Sequence, residues 1–282
     1  MVRSLEEFNF EWKNVLVRVD FNVPVDESGY ITDDNRIIES LPTIDKIIDD
    51  GGIPVLMSHL GRPKGEANLK YSLAPVAKYM IDSLGYNVIF ANDCIGVEAQ
   101  NAVNKATSGE LVLLENLRFH KEEEKNDIEF AKKLASLADV YINDAFGSAH
   151  RAHASTTAVA GFFKDKFAGY LMLDEIEYLG KAVLNPQRPF VAILGGAKIS
   201  GKIDVIKNLM DKCDTIIIGG GMMFTFFKAM GYEVGKSILE EDKVELAKEI
   251  IESAKEKNKN LLLPIDTIVA DAFDNNANTK TV

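Results

Sequence analysis

Val15-Leu16-Val17-Arg18-Val19, the run Asp34 to Asp50, and Ile53-Pro54-Val55-Leu56-Met57 follow one another near the start of the chain. The first and third are short, apolar and rich in β-branched residues, as strands covered on both faces are. The second places Ile37, Ile38, Leu41, Ile44, Ile47 and Ile48 on one helical face and stops at Gly51-Gly52. Strand, helix, strand predicts a parallel pair joined by a crossover helix.

The same alternation continues. A helix spans Tyr71 to Leu84, capped by Ser72 and ended by Gly85, and Asn87 to Phe90 is a strand. A weak helix from Gly96 to Ala106 leads to strand Leu111 to Leu114, then helix Asp127 to Leu137 and strand Val140 to Asn143. The helix Leu173 to Leu184 runs into Asn185-Pro186-Gln187-Arg188-Pro189, where two close prolines mark a boundary. The rhythm then restarts, with strands Phe190 to Leu194, Thr215 to Ile218 and Leu261 to Leu263. The helices of this part are Ser200 to Lys212, Met222 to Met230 and Glu241 to Lys257. The expected fold class is α/β, with two Rossmann-like doubly wound parallel-sheet domains joined by a hinge helix. The polar tail Asp274 to Val282 reads as a loop.

With 46% hydrophobic and 27% charged residues, the 282-residue chain is globular rather than disordered. A net charge of -11 argues against a non-specific nucleic-acid binder and gives any local cationic cluster more meaning. Cys94 and Cys213 form neither a disulfide framework nor a zinc spacing. The N-terminus lacks the pattern of a signal peptide, and the most apolar run, Thr215 to Phe227, is too short to span a bilayer. A cytoplasmic protein without membrane partners is expected.

Ligands of open parallel sheets bind at the carboxyl ends of the strands. There the sequence places Asp20-Phe21-Asn22-Val23-Pro24, Ser58-His59-Leu60-Gly61-Arg62-Pro63, Glu115-Asn116-Leu117-Arg118-Phe119-His120, and Asn143 to His153, which includes His150 and Arg151. Arg36 follows the first of these loops. Every histidine lies within three residues of an arginine, so the loops are expected to form one anion site. In the second part, Gly195-Gly196-Ala197-Lys198-Ile199-Ser200-Gly201-Lys202-Ile203 follows a strand and opens a helix, as phosphate loops do. It misses the P-loop pattern at Ile203, where a hydroxyl is required. Gly219-Gly220-Gly221 follows the next strand but is not a dinucleotide fingerprint. Met222, Met223, Phe224, Phe226 and Phe227 read as core rather than as a base-stacking surface. A cationic pocket on one part and a glycine–lysine loop on the other suit phosphoryl transfer.

Arg18-Val19-Asp20-Phe21-Asn22-Val23-Pro24, Ser58-His59-Leu60-Gly61-Arg62-Pro63, Leu114-Glu115-Asn116-Leu117-Arg118-Phe119, Ala145 to His153, and Gly195-Gly196-Ala197-Lys198, in this order, resemble the phosphoglycerate kinase family. The resemblance implies a glycolytic enzyme that moves phosphate between 1,3-bisphosphoglycerate with MgADP and 3-phosphoglycerate with MgATP. It implies that Asp20, Phe21, Asn22, Arg36, His59, Leu60, Gly61, Arg62, Arg118, His150 and Arg151 surround the phosphoglycerate. Gly195, Gly196, Ala197, Lys198, Lys202, Gly219 and Gly220 would meet the nucleotide, with Arg36, Lys198 and Lys202 acting on the reacting groups. Mg2+ is expected to come with ATP or ADP, and no residue is assigned as its ligand. A monomer is implied, with domains 1–172 and 189–282 joined by a hinge helix and linker, 173–188. Family members continue beyond Val282, so the second domain is expected to be incomplete and the chain alone to bind 3-phosphoglycerate with little turnover. The alternative is a non-catalytic phosphoglycerate-binding fragment. Position 201 is Gly where many members have Asp near the metal.

Overall fold

The computed structural model describes residues 3–26, 28–272 and 274–282. The first two residues of the N-terminal stretch read above lie outside them. The chain divides into two units, Met1–Tyr178 and Leu179–Val282.

The first unit contains β1 (Asn14–Arg18), α1 (Asn35–Ile38), α2 (Leu41–Asp49), β2 (Ile53–Met57), α3 (Ala74–Asp82), β3 (Asn87–Ala91), α4 (Gly96–Lys105) and β4 (Glu110–Leu114). It continues with α5 (Lys121–Glu124), α6 (Ile128–Ala135), β5 (Val140–Asn143), α7 (Phe146–Ala149), β6 (Lys166–Ala168) and α8 (Tyr170–Leu184), inside which the division falls. The six strands form one parallel sheet in the order β3-β4-β2-β1-β5-β6. β1 is central, with Val15 opposite Pro54 of β2 on one side and Val140 of β5 on the other. The winding reverses between β1 and β5, which opens a crevice at their carboxyl ends. Val15 and Val17 pack with Ile44, Ile47 and Met80 on one face, while Leu16 packs with Val55, Leu134 and Tyr141 on the other. Burial on both faces is why the strands read as continuous apolar runs.

Two expectations change here, and one strand is new. The helix expected over 34–50 breaks into α1 and α2. Pro42, near the start of α2, has no N–H and its ring excludes the carbonyl one turn back. The helix expected from Tyr71 begins at Ala74; Ser72 stands outside it, and its Oγ accepts the Ala74 N–H at 3.1 Å. β6 was not anticipated, because three residues carry no usable periodicity.

The second unit contains β7 (Val191–Leu194), α9 (Ile203–Met210), β8 (Thr215–Ile218), α10 (Met223–Ala229), α11 (Val244–Glu256) and β9 (Asn260–Leu262). Its parallel sheet has the order β7-β8-β9. Ile216, Ile218, Met222, Phe226 and Ile250 share one core, so the methionine and aromatic run is packing material, as expected. On the exposed side of this sheet Ile193 remains 75% accessible. The tail is not a plain loop: β11 (Thr279–Thr281) pairs antiparallel with β10 (Ile268–Ala270). Backbone pairing between exposed residues leaves no hydrophobic signature, so sequence pattern did not reveal it. No helix among the described residues is long and apolar enough to cross a membrane.

Candidate functional site

In the first unit the parallel topology brings the loops after β1, β2, β4 and β5 to one edge. Arg18, the last residue of β1, is 1% exposed. Its Nε donates to Ser155 Oγ at 2.9 Å, one Nη donates to the Val19 carbonyl, and the other lies 3.1 Å from His59 Nδ1. Buried Glu123 stands behind it and accepts the Ser155 hydroxyl at 2.6 Å and the Ser155 amide at 3.0 Å. Ser155 belongs to a π-helical turn, Ala154–Ala158, a local distortion that aims both of its donors at one carboxylate. Burial pulls the Arg18 guanidinium below its ordinary pKa, and the charges of Glu123 and Asp20 oppose that pull.

His59 is held neutral. Burial, and then the charges of Arg18, Arg118, Arg151 and His153, pull its pKa down to about 2. Guanidinium only donates, so Nδ1 accepts from Arg18 and Nε2 carries the proton. The unfolded chain takes up a proton near pH 6.5 and the folded chain does not. Stability from His59 is therefore complete above that pH and lost below it, by about 1.4 kcal/mol per pH unit. Urea denaturation between pH 7.5 and 5 should show a shallower acid slope in His59→Gln than in wild type; equal slopes would refute the assignment.

Arg151 is half-buried, its carbonyl accepts the Thr156 hydroxyl at 2.8 Å, and its charge acts on both His59 and Arg118. Arg36 is half exposed and donates to Asp20 Oδ2 at 2.6 Å. Asn22 Oδ1 accepts the Gly61 N–H at 2.8 Å, and Arg118 Nη1 donates to the Gly61 carbonyl at 2.8 Å. Gly61 has φ of +60°, and a Cβ there would lie 2.4 Å from the Tyr71 ring, so this turn requires glycine. Buried Phe21 and Leu60 are tied by their backbones: the Phe21 N–H to Ser58 Oγ, the Leu60 carbonyl to Asn116 Nδ2, both at 2.8 Å. Glu124 stands 3.2 Å from Arg118 Nε, close enough for charge but out of line for a hydrogen bond. Arg62 and His150 are exposed, and no contact fixes either within this cluster.

His120 does not join the anion pocket. Its Nε2 lies 2.7 Å from Asp93 Oδ1, which also accepts the Cys94 N–H at 2.6 Å. Asp93, Cys94 and His120 bring possible metal-ligand atoms within 4.8 Å of one another. Asp93 and His120 are joined directly, and burial pushes the Cys94 thiol well up, so the trio is closed by its own hydrogen bonds.

Arg18, Glu123 and Ser155 were not assigned site roles from sequence. Arg18 did carry a signal, being a charge at the end of an otherwise apolar strand. Glu123 sits in an unremarkable acidic run.

In the second unit the two glycine loops pack backbone against backbone. Gly220 has φ of +68°, and a Cβ there would lie 2.7 Å from Gly196 N. The Met222 N–H donates to the Gly196 carbonyl, and the Gly219 N–H to the Leu194 carbonyl, both at 2.8 Å. The missing Cβ of Gly196 leaves room for Lys202, whose Nζ lies 2.8 Å from that point. Ala197 and Lys198 are exposed, and no atom approaches the Cβ positions of Gly195 or Gly219 within 4 Å. The helix expected from Ser200 begins at Ile203, and Ser200 to Lys202 form the turn that presents Lys202.

A cluster of arginines around His59 at the strand ends of one parallel α/β unit, and a glycine–lysine loop on another, are the features an α/β phosphotransferase requires. The phosphoglycerate kinase family model matches residues 5–282, and the chain belongs to that family. It is 57% identical over 280 residues to the phosphoglycerate kinase of Chlorobium phaeobacteroides (strain BS1), covering 99% of this chain and 70% of that protein. Identity to the Chloroherpeton thalassium enzyme of the same name is 56% over 278 residues, again covering 99% and 70%. The solved phosphoglycerate kinase of Coxiella burnetii superposes with a TM-score of 0.83 at 41% identity, covering 100% of this chain and 71% of that one. The enzyme of Pyrococcus horikoshii gives 0.85 at 31% identity, covering 99% and 70%. The protein is a kinase of glycolysis whose chain spans about 70% of the length of these relatives.

Proposed function

We propose that the first unit holds 3-phosphoglycerate in the pocket built by Arg18, His59, Arg118 and Arg151, and that the second holds ATP or ADP on its glycine loops. The observation that carries this is the buried cationic cluster, assembled around a neutral histidine in a chain of net charge -11. Its arginines suit a phosphate and a carboxylate better than a neutral ligand. Asn22 and Asp20 border the pocket, with Arg62 and His150 at its rim. Arg36 is assigned to the carboxyl end of the acceptor, in exchange for its present contact with Asp20.

The acceptor carboxylate is ionised at pH 7 and needs no general base. Catalysis rests on positioning and on neutralising the transferring group, the roles assigned to Arg36, Lys198 and Lys202. Among the described residues, metal-donor side chains gather in a group of three only at Asp93, Cys94 and His120, in the first unit. Mg2+ is expected to arrive with ATP or ADP, and no residue of this chain is assigned as its ligand. Residues 173–188 are assigned as the hinge helix and linker. The expected setting is a cytoplasmic monomer acting on small molecules, and the acidic charge balance supports the lack of a nucleic-acid partner.

Titration calorimetry with 3-phosphoglycerate tests the pocket, and a coupled assay with 3-phosphoglycerate and MgATP tests transfer. Binding of 3-phosphoglycerate with little or no turnover by the chain alone is the expected result. A folded chain that binds 3-phosphoglycerate but not nucleotide would support the non-catalytic alternative, and one that binds neither would overturn the proposal.

A further inference from the structure

The glycine–lysine loop departs from a phosphate-cradling loop in who occupies its amides. In a P-loop the backbone N–H groups meet the phosphates. Here the two amides that follow Lys198 are already taken. Glu240 Oε2 accepts the Ile199 N–H at 2.6 Å and the Ser200 N–H at 3.3 Å. Glu240 is anchored in turn, since its own N–H donates to Oγ1 of Thr225, a buried residue of α10, at 3.4 Å. Ile199 is fully buried in the core of the unit, so the loop is fastened from below as well. Burial would raise the Glu240 pKa. Hydrogen bonds from Ser200 and Ile199 and the nearby Lys198 charge outweigh it and hold the carboxylate below its usual range.

We propose that Glu240 is a positioning residue for the nucleotide phosphates: it occupies the loop amides after Lys198, so that phosphate recognition falls to the ammonium groups of Lys198 and Lys202. This rests on the nucleotide reading of the loop given above. A carboxylate seated on these amides disfavours a second anion there, while the lysine stems remain free to reach one. Thr225 and Ile199 make the loop one rigid piece with α10, which lowers the ordering cost of binding.

The test uses wild type, Glu240→Ala and Glu240→Gln, with two readouts. The first is hydrogen exchange at the Ile199 and Ser200 amides without nucleotide. Exchange should quicken at least tenfold in Glu240→Ala and stay slow in Glu240→Gln, which keeps an acceptor oxygen. The second is affinity by calorimetry. MgADP should bind about tenfold more weakly to Glu240→Ala, with Glu240→Gln largely restored and 3-phosphoglycerate affinity unchanged in both. Unchanged exchange would overturn the clamp. Tighter MgADP binding to Glu240→Ala would overturn positioning, because Glu240 would then be a competitor for the phosphates. Equal loss for both ligands would reduce Glu240 to a general structural role. Absence of MgADP binding by wild type would overturn the nucleotide reading itself, while the exchange data still decide the clamp.

Discussion

Glu123→Ala is expected to destabilise the first unit by about 3–5 kcal/mol, the range for removing one partner of a buried ionic network. Glu123 is fully buried and receives both Ser155 donors. Ser155 in turn receives Arg18 Nε, and Arg18 is as inaccessible as the apolar core around it. Without the carboxylate, a buried guanidinium loses its main opposing charge and two Ser155 donors lose their acceptor. Urea denaturation of the chain, followed by a probe in the first unit, measures this directly. A loss below about 1 kcal/mol would show that the network contributes no more than a surface pair. Glu123→Gln should recover part of the loss, because the amide oxygen still accepts one donor. It cannot recover the charge.

Arg118→Ala is expected to weaken 3-phosphoglycerate binding by about 30- to 1000-fold, equivalent to about 2–4 kcal/mol. The Arg118 side chain is only 7% exposed. It is held by the Gly61 carbonyl, and its backbone N–H bonds Asn116 Oδ1 at 3.0 Å. A guanidinium fixed before the ligand arrives has little side-chain entropy left to lose. Lysine supplies the charge without the planar fork, so Arg118→Lys should recover only part of the affinity. MgADP affinity should stay at the wild-type value in both variants. A change below threefold in 3-phosphoglycerate affinity, read by calorimetry, would place the ligand elsewhere.

Much of the first unit was legible because its strands are covered on both faces. Val15 to Val17, Ile53 to Met57 and Leu111 to Leu114 are apolar without alternation, and glycines or polar loops punctuate them. The loops bearing Asp20, His59, Arg118 and Arg151 could be found because parallel topology alone sends them to one edge. What they do there was less legible. Nothing local marks His59 as neutral or Glu123 as buried, since both depend on residues more than thirty positions away. Nor does local sequence separate His120, bound to Asp93, from His59, which meets Arg18. Glu240 was invisible for the same reason: its partners come from a loop forty residues earlier.

The strand order also sets a timetable. β1 leaves the ribosome before the other strands of its sheet, yet it lies at the centre of that sheet, and Val15 meets Val140 only 125 residues later. At about 5–20 residues per second, the nascent chain waits roughly 6–25 s with one edge of β1 unpaired. During that interval Val15, Leu16 and Val17 have a partner on one side only, and they form the kind of apolar edge that chaperones and neighbouring chains can capture. The length of this unpaired stage is set by the rate of synthesis across residues 58–140. Arg18, at the end of this strand, reaches Ser155 only once the π-helical turn beyond β5 has emerged, so the buried Arg18–Ser155–Glu123 network is among the last features of the unit to be completed.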